Sequence, residues 1–226
     1  MMRTRIKICG IRDGQTARAA VAAGVDGIGL VFVEGSPRQV SIQLAQQIVA
    51  TLPPFVEPVG LFVDAPLDEV RQIAKLLGLR TVQLHGQEPP HFATDLAPLR
   101  VIKAVPFDAR HISAALAPWR ATVSNLAGIL FDAGPQFDGN KSLPAGGTGR
   151  RFDWEALARL EHGGVLAGLP QTILAGGLDP NNVAEAIAQV GPYAVDVSSG
   201  VESSRGVKDP DRIEAFVEAV RKAGNS

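Results

Sequence analysis

Residues 172–200, TILAGGLDPNNVAEAIAQVGPYAVDVSSG, decide the fold. Two short apolar runs, 172–175 and 194–197, flank a segment whose apolar residues recur at helical spacing. That segment has a start signal, Asp179 as N-cap with Pro180 at the first helical position. Strand, helix, strand in this order implies parallel neighbours joined by a crossover. Each run also ends in a glycine-bearing turn, Ala175-Gly176-Gly177 after the first and Val197-Ser198-Ser199-Gly200 after the second.

The same alternation extends toward both ends of the chain. Working back, strands are expected at 128–132, 101–105, 81–85, 58–63, 27–32 and 5–9. Helices are expected from 153, at 109–116, 89–96 and 66–77, from Ser41, and at 13–23. A last helix starts at Asp209-Pro210 and runs to about 223. Eight strand–helix units without a linker predict an α/β protein, a single-domain (β/α)8 TIM barrel over residues 1–226. The alternative is an open doubly wound sheet, but no G-x-G-x-x-G follows the first strand, where a dinucleotide fold carries it.

Composition excludes several classes of function. The 226 residues are 46% hydrophobic and 20% charged with a formal net charge of −1, without the basic excess expected of a nucleic-acid or membrane-surface protein. No run of about 18 apolar residues suggests a membrane span, and the N-terminus MMRTRIKICG lacks the apolar stretch of a signal peptide. A single cysteine, Cys9, excludes an intramolecular disulfide and any cysteine-cluster metal site. The expected setting is reducing and cytoplasmic.

Catalytic side chains of such barrels sit at the carboxyl ends of strands, and strand parity tells which ones point inward. Arg5, Lys7 and Cys9 share the inward face of the first strand, with Ile6 and Ile8 under the helices. Gln83 and His85 share a face of the fourth, Asp132 ends the sixth opposite Phe131 and Ile129, and Asp196 lies between Val195 and Val197 in the eighth. Lys7, Cys9, His85, Asp132 and Asp196 therefore converge on one rim. Each has a purely structural alternative. Cys9 is either a small core residue or a thiol whose pKa the adjacent Lys7 lowers. Asp132 caps a helix or serves the site, although some twenty residues separate it from the next helix. The alternative for His85 is a hydrogen bond to loop backbone, and for Asp196 it is to hold the Ser198-Ser199-Gly200 turn.

Gly176, Gly177, Ser198, Ser199 and Gly200 follow the two strands whose loops cradle phosphate in this architecture, and the alternative is that the glycines merely close tight turns. The stretch Gly146-Gly147-Thr148-Gly149-Arg150-Arg151 reads as a mobile lid, or else as a disordered insertion.

Motifs along nearly the whole chain resemble phosphoribosylanthranilate isomerases of tryptophan biosynthesis. They are Lys7-Ile8-Cys9-Gly10, Gly35-Ser36-Pro37-Arg38, Val82-Gln83-Leu84-His85-Gly86, Phe131-Asp132-Ala133, Gly147-Thr148-Gly149 before Phe152-Asp153-Trp154, Leu174-Ala175-Gly176-Gly177-Leu178, and Asp196-Val197-Ser198-Ser199-Gly200-Val201-Glu202. Arg150-Arg151 departs from the lysine and threonine-like pair often found there. The resemblance implies an aldose-to-ketose (Amadori) isomerase acting on a phosphosugar, with no metal and no organic cofactor. It maps the general base onto Cys9 and the general acid onto Asp132. Lys7, Arg38, His85 and Asp196 become substrate-binding residues, with Arg38 clamping the anthranilate carboxylate through its guanidinium fork. The alternative for Arg38 is an ordinary solvent-facing arginine.

An acid at Asp132 must start protonated near neutral pH, a state favoured by burial or a neighbouring negative charge. A monomer or a homodimer fits this reading. The nearest rival, the related isomerase of histidine biosynthesis or a bifunctional form, would carry an aspartate where Cys9 stands. A phosphate-binding sensor would have lost a proton carrier, and indole-producing barrels need a lysine–glutamate set that has no counterpart here.

Overall fold

Eight runs of alternating or continuous apolar residues become eight parallel strands because each can bury both faces, one in the barrel and one under helices. The computed structural model describes all residues except 1, 2, 121, 122, 135, 136, 139, 140, 143–150, 225 and 226. In chain order the elements are β1 (Arg5–Cys9), α1 (Gly14–Ala23), β2 (Gly27–Val31), α2 (Ile42–Val49), β3 (Glu57–Phe62), α3 (Leu67–Leu77), β4 (Thr81–Leu84), α4 (Pro90–Asp95), β5 (Arg100–Pro106), α5 (Ile112–Leu116) and β6 (Leu126–Asp132). There follow β7 (Phe137–Asp138), β8 (Lys141–Ser142), α6 (Trp154–His162), β9 (Gln171–Leu174), α7 (Val183–Val190), β10 (Ala194–Val197), β11 (Glu202–Ser204), β12 (Val207–Lys208) and α8 (Pro210–Gly224).

The sheet closes in the order β1-β10-β9-β6-β5-β4-β3-β2, so the last barrel strand pairs with the first. Strands β10 and β9 stand between β1 and β6 on one side, which sets Cys9 and Asp132 across part of the mouth rather than diametrically apart. Parity resolves as expected. Ile6, Ile8, Ile129, Phe131 and Leu174 join the outer layer beneath the helices, where Phe62, Phe131 and Phe216 are the largest fully buried side chains. Val59, Ile102, Ala104, Leu130 and Ile173 fill the barrel, and Cys9, Val31 and Leu61 form a small apolar cluster above them.

Most helix starts follow their caps. Asp13, Ser41 and Asp153 accept from the backbone N–H groups of Thr16, Leu44 and Ala156, and Asp209 accepts from Asp211 N and Arg212 N. Two helices start later than expected. α7 begins at Val183 rather than after Asp179, because Asp179 instead folds a turn by accepting from Asn181 N at 2.7 Å. Asn182 secures that turn, accepting from Asp179 N and donating to Gly177 O. α5 begins at Ile112, since Asp108 forms a similar local turn with Arg110 N. The hairpins β7–β8 and β11–β12, absent from the sequence reading, both lie in loops above the mouth's strands. Of the expected lid, residues 146–150 lie outside the described residues, whereas Arg151 stacks over the Trp154 ring at 5.3 Å.

Gly200 locks two loops together. A Cβ there would run into the carbonyl oxygen of Leu178, in the loop after β9. Gly200→Ala should lower stability by about 2 kcal/mol or more, the scale of overpacking against rigid backbone. Gly14→Ala, which meets only the flexible end of Arg18 and a Thr51 methyl, should stay within about 1 kcal/mol of the parent. Urea unfolding of both variants checks the contrast.

Candidate active site

The seam between β1 and β10 positions the first group of side chains. Its register pairs Lys7 with Asp196, and their inward side chains form a buried ion pair, Nζ to Oδ1, at 2.9 Å. Cys9, two residues on, points the same way and is 6% exposed. Its neighbour across β2 is Gly29, where a Cβ would sit 2.8 Å from Cys9 Sγ and 3.0 Å from Lys7 Nζ. The absent side chain is what admits both groups.

The electrostatics correct one expectation. Burial pushes the Cys9 thiol up; Lys7 and Lys208 pull it down and Asp196 pushes it further up, so the net direction is upward. Lys7 does act as foreseen, but Asp196 already answers its charge and desolvation is the larger effect. Burial works against the Lys7 ammonium too, yet Asp196 and Cys9 more than offset it, and its pKa is raised.

β4 and β6 supply the second group. Asp132 Oδ2 lies 3.3 Å from His85 Nε2, and Asp132 Oδ1 accepts from Ala133 N at 2.7 Å. Gln83, on the same face two residues before His85, donates from Nε2 to His85 Nδ1 at 3.1 Å. That contact orients the ring so that its Nε2 edge faces Asp132. Gln83 Oε1 is buried with no partner among the described residues.

The loops after β9 and β10 bring amide groups to the same mouth. Ser199 and Gly200 open a single 310 turn, Ser199–Val201, whose first N–H groups have no intrahelical partner. Ser198 Oγ donates to Cys9 O at 3.1 Å, tying this loop to the end of β1.

Arg38 enters from the loop after β2 and is not solvent-facing: it is 8% exposed. Its Nε and Nη2 donate to both oxygens of Glu202 at 2.7 and 2.9 Å. Gly10, with a positive φ of 83°, lets the arginine stem cross β1, since a Cβ there would lie 2.7 Å from Arg38 Cδ. Lys208 Nζ, also buried, donates to Glu202 Oε1 at 2.7 Å and to Ser198 O at 2.9 Å. Burial alone would raise the Glu202 carboxyl, but Arg38 and Lys208 hold it down at about 2.

Glu202, Lys208 and Gln83 are the polar residues that sequence reasoning did not single out. Glu202 belonged to a quoted motif and Gln83 to an inward face. Lys208 had only a weak signal, a charge beyond Gly206 in a stretch too short to read as a hairpin.

These elements enclose a cavity of about 350 Å³. Cys9, Arg38, His85, Asp132 and Asp196 line it together with Gly176, Gly177, Ser198 and Ser199. Lys7 and Gly200 do not line it; Lys7 lies behind, against Cys9 and Asp196. Among the described residues no group of three or more His, Cys, Asp or Glu could hold a metal ion.

Titratable side chains gathered at the carboxyl-terminal mouth of a closed βα barrel point to a (β/α)8-barrel enzyme with groups suited to acid–base chemistry. Known proteins narrow this class. The profile described as N-(5'phosphoribosyl)anthranilate (PRA) isomerase matches residues 6–219, and the chain belongs to that family. An N-(5'-phosphoribosyl)anthranilate isomerase of Citrifermentans bemidjiense is 44% identical over 219 residues, spanning 97% of this chain and 98% of its own. The crystal structure of the phosphoribosyl anthranilate isomerase of Thermotoga maritima superposes with a TM-score of 0.82 at 37% identity, covering 97% of this chain and 99% of that one. A phosphoribosyl anthranilate isomerase in complex with reduced 1-(o-carboxyphenylamino)-1-deoxyribulose 5-phosphate superposes at 0.80 with 36% identity and the same coverage.

Cys9 is the only cysteine in the chain, so no other thiolate contributes to its titration, and the single tyrosine is followed separately at about 295 nm. In the ligand-free protein, thiolate absorbance near 240 nm should emerge only above the ordinary thiol pKa of about 8.5. A thiolate step below pH 8 would mean that Lys7 and Lys208 outweigh burial.

Proposed function

We propose that this protein isomerises N-(5'-phosphoribosyl)anthranilate to 1-(o-carboxyphenylamino)-1-deoxyribulose 5-phosphate, as an aldose–ketose isomerase of tryptophan biosynthesis, with the whole chain acting as one catalytic domain. The observation that carries the reading is the placement of a thiol, Cys9, and a carboxyl, Asp132, in one cavity between an arginine and two amide-rich loops. Asp132 gives its proton to the furanose ring oxygen; the C1′–O bond breaks and the nitrogen lone pair forms the iminium. Cys9, as thiolate, then takes the C2′ proton. The C–H electrons become the C1′–C2′ double bond of an enolamine and neutralise the iminium. Transfer of the enol proton to C1′ completes the ketone. Each step moves a proton between the substrate and a side chain or an electron pair within the substrate. Release of the Cys9 proton to solvent with reprotonation of Asp132 resets the site, so the sequence requires neither metal nor organic cofactor.

The raised thiol pKa is compatible with this order. The iminium is a cation formed beside Cys9; it favours release of the thiol proton to solvent and so the thiolate at the moment the base is needed. His85 holds Asp132 in place through the 3.3 Å contact, and Asp196 keeps Lys7 beside Cys9. The amides of Gly177, Ser199 and Gly200 suit the phosphate, with Gly176 and Ser198 shaping the loops. Arg38 suits the anthranilate carboxylate. The partners are small molecules. No described helix is long and apolar enough to cross a membrane, and we place the enzyme in the cytoplasm. A homodimer is the assembly suggested by a solved relative described as dimeric.

Cys9→Ser and Asp132→Asn should each lower kcat at least about a hundredfold with a much smaller change in KM, the scale of losing a general base or acid. Arg38→Ala should raise KM more than it lowers kcat. A steady-state assay following the fluorescence loss of freshly generated phosphoribosylanthranilate measures all three. Near-normal kcat in folded Cys9→Ser would return Cys9 to the role of a core residue.

Inorganic phosphate should inhibit competitively and, in crystals, occupy the amides of Gly177, Ser199 and Gly200. Density only elsewhere would count against that cradle.

A further inference from the structure

We propose that Glu202, carried by the β11–β12 hairpin, is a positioning residue that aims the guanidinium of Arg38 at the carboxylate of the substrate. The proposal rests on the reading of Arg38 as the partner of that carboxylate.

The geometry begins with the hairpin. Glu202 and Lys208 are paired directly across β11 and β12, which brings Lys208 Nζ to 2.7 Å from Glu202 Oε1. Gly206 turns the chain between them with a φ of 82°, and its N–H donates to Glu202 Oε2 at 3.0 Å. A Cβ on Gly206 would lie 2.5 Å from Pro37 O, so the turn sits directly against the residue preceding Arg38. The carboxylate is thus held by two donors, Lys208 Nζ and Gly206 N, besides the nitrogens of Arg38, and it is in no position to swing.

That fixed carboxylate takes the Nε–Nη2 side of Arg38. A guanidinium has five N–H groups in one plane, so side-on pairing leaves two on Nη1 and one on Nη2. One N–H on Nη1 and one on Nη2 form the end-on fork, the edge that pairs bidentately with a second carboxylate. The stem is constrained at Gly10 and the side edge at Glu202, leaving the end of a cavity-lining arginine as the face available to a ligand. One arginine then bridges two carboxylates, one from the protein and one from the substrate.

Charge points to the same ligand class. Arg38 and Lys208, two cations, share the single carboxylate of Glu202 in a buried cluster. With both cations ionised the group carries an excess positive charge in the absence of substrate; burial already lowers the Lys208 pKa, the mark of a buried charge that is costly unless paired. An aryl carboxylate arriving at the free fork completes the balance. Glu202 is ionised near neutral pH, since Arg38 and Lys208 overcome burial and keep its carboxyl down at about 2. The opposite arrangement, in which Glu202 competes with substrate for Arg38, would require the carboxylate to move away on binding. Its bonds to Lys208 and Gly206 N oppose that movement.

The test uses two ligands, reduced 1-(o-carboxyphenylamino)-1-deoxyribulose 5-phosphate and its phenylamino counterpart without the carboxyl group. Their dissociation constants are measured by calorimetry on the full chain, with Glu202→Gln, Glu202→Asp and Arg38→Ala beside the parent, and kcat and KM are measured for each variant. Glu202→Gln should weaken the carboxylate ligand at least about tenfold, the scale of a misaligned charged hydrogen bond, and the other ligand less than about twofold. The catalytic change should fall on KM more than on kcat, and Glu202→Asp should recover part of it.

Equal weakening of both ligands would mean that Glu202 only holds the hairpin together and would overturn the proposal, as would tighter binding of the carboxylate ligand. If Glu202→Gln does not fold, Glu202→Asp decides by the same ratio between ligands. Arg38→Ala separates the two levels of the argument. Selective loss of the carboxylate ligand in Arg38→Ala but not in the Glu202 variants defeats the positioning role alone. Absence of selectivity in Arg38→Ala defeats the carboxylate reading of Arg38 and the proposal with it.

Discussion

The buried ion pair between Lys7 and Asp196 spans the seam where the barrel closes. Without the pairing of β1 with β10, residues 189 positions apart would not meet, and neither charge could be buried alone at tolerable cost. Closure therefore joins topology to chemistry in one contact. Lys7 also meets the Cys9 thiol, and the β10 strand that brings Asp196 also delivers the Ser198 loop, whose hydroxyl binds the Cys9 carbonyl. A slip of β10 by one residue in this register would turn Asp196 outward and leave the Lys7 ammonium buried without its partner.

From that seam the charged groups spread as two linked sets. Lys7, Asp196 and Cys9 form the inner one, while Arg38, Glu202 and Lys208 form the outer one beneath the hairpin. Lys208 belongs to both through Ser198 and through its electrostatic pull on the thiol. Buried pairs of this kind are weak contributors to stability, since desolvation consumes most of the Coulomb gain. Their value lies in fixed direction. A lysine or arginine pinned by a carboxylate has few rotamers left, so a reacting group or a ligand meets it already oriented.

Space is apportioned as strictly as charge. Gly29 leaves room for the thiol and the ammonium, Gly10 for the arginine stem, and Gly200 for the Leu178 carbonyl. A Cβ at Gly176 would stand 2.9 Å from Asp132 Oδ1. The small residues of the motifs are therefore positions where another part of the site already occupies the volume of a side chain.

The amino-acid sequence by itself determined the repeating strand–helix order, the inward face of each strand, and hence the convergence of Cys9, His85, Asp132 and Asp196 on one rim. Those are local properties: apolar period, parity and caps such as Ser41 and Asp153 depend on neighbours a few residues away. The Asp179-Pro180 start signal misled because a short polar side chain can serve a turn as readily as a helix, and Asn182 tips the choice through Gly177 O.

Only the tertiary structure decided the net direction of the Cys9 pKa, because desolvation depends on everything packed around the thiol, whereas sequence displays just the nearby Lys7. It alone paired Arg38 with Glu202 and Lys208 with Ser198. Those contacts cross 164 and 10 residues and rest on a hairpin too short to carry any periodic signal. Long-range charge pairing follows from where the chain closes in space, and no spacing along it records that distance.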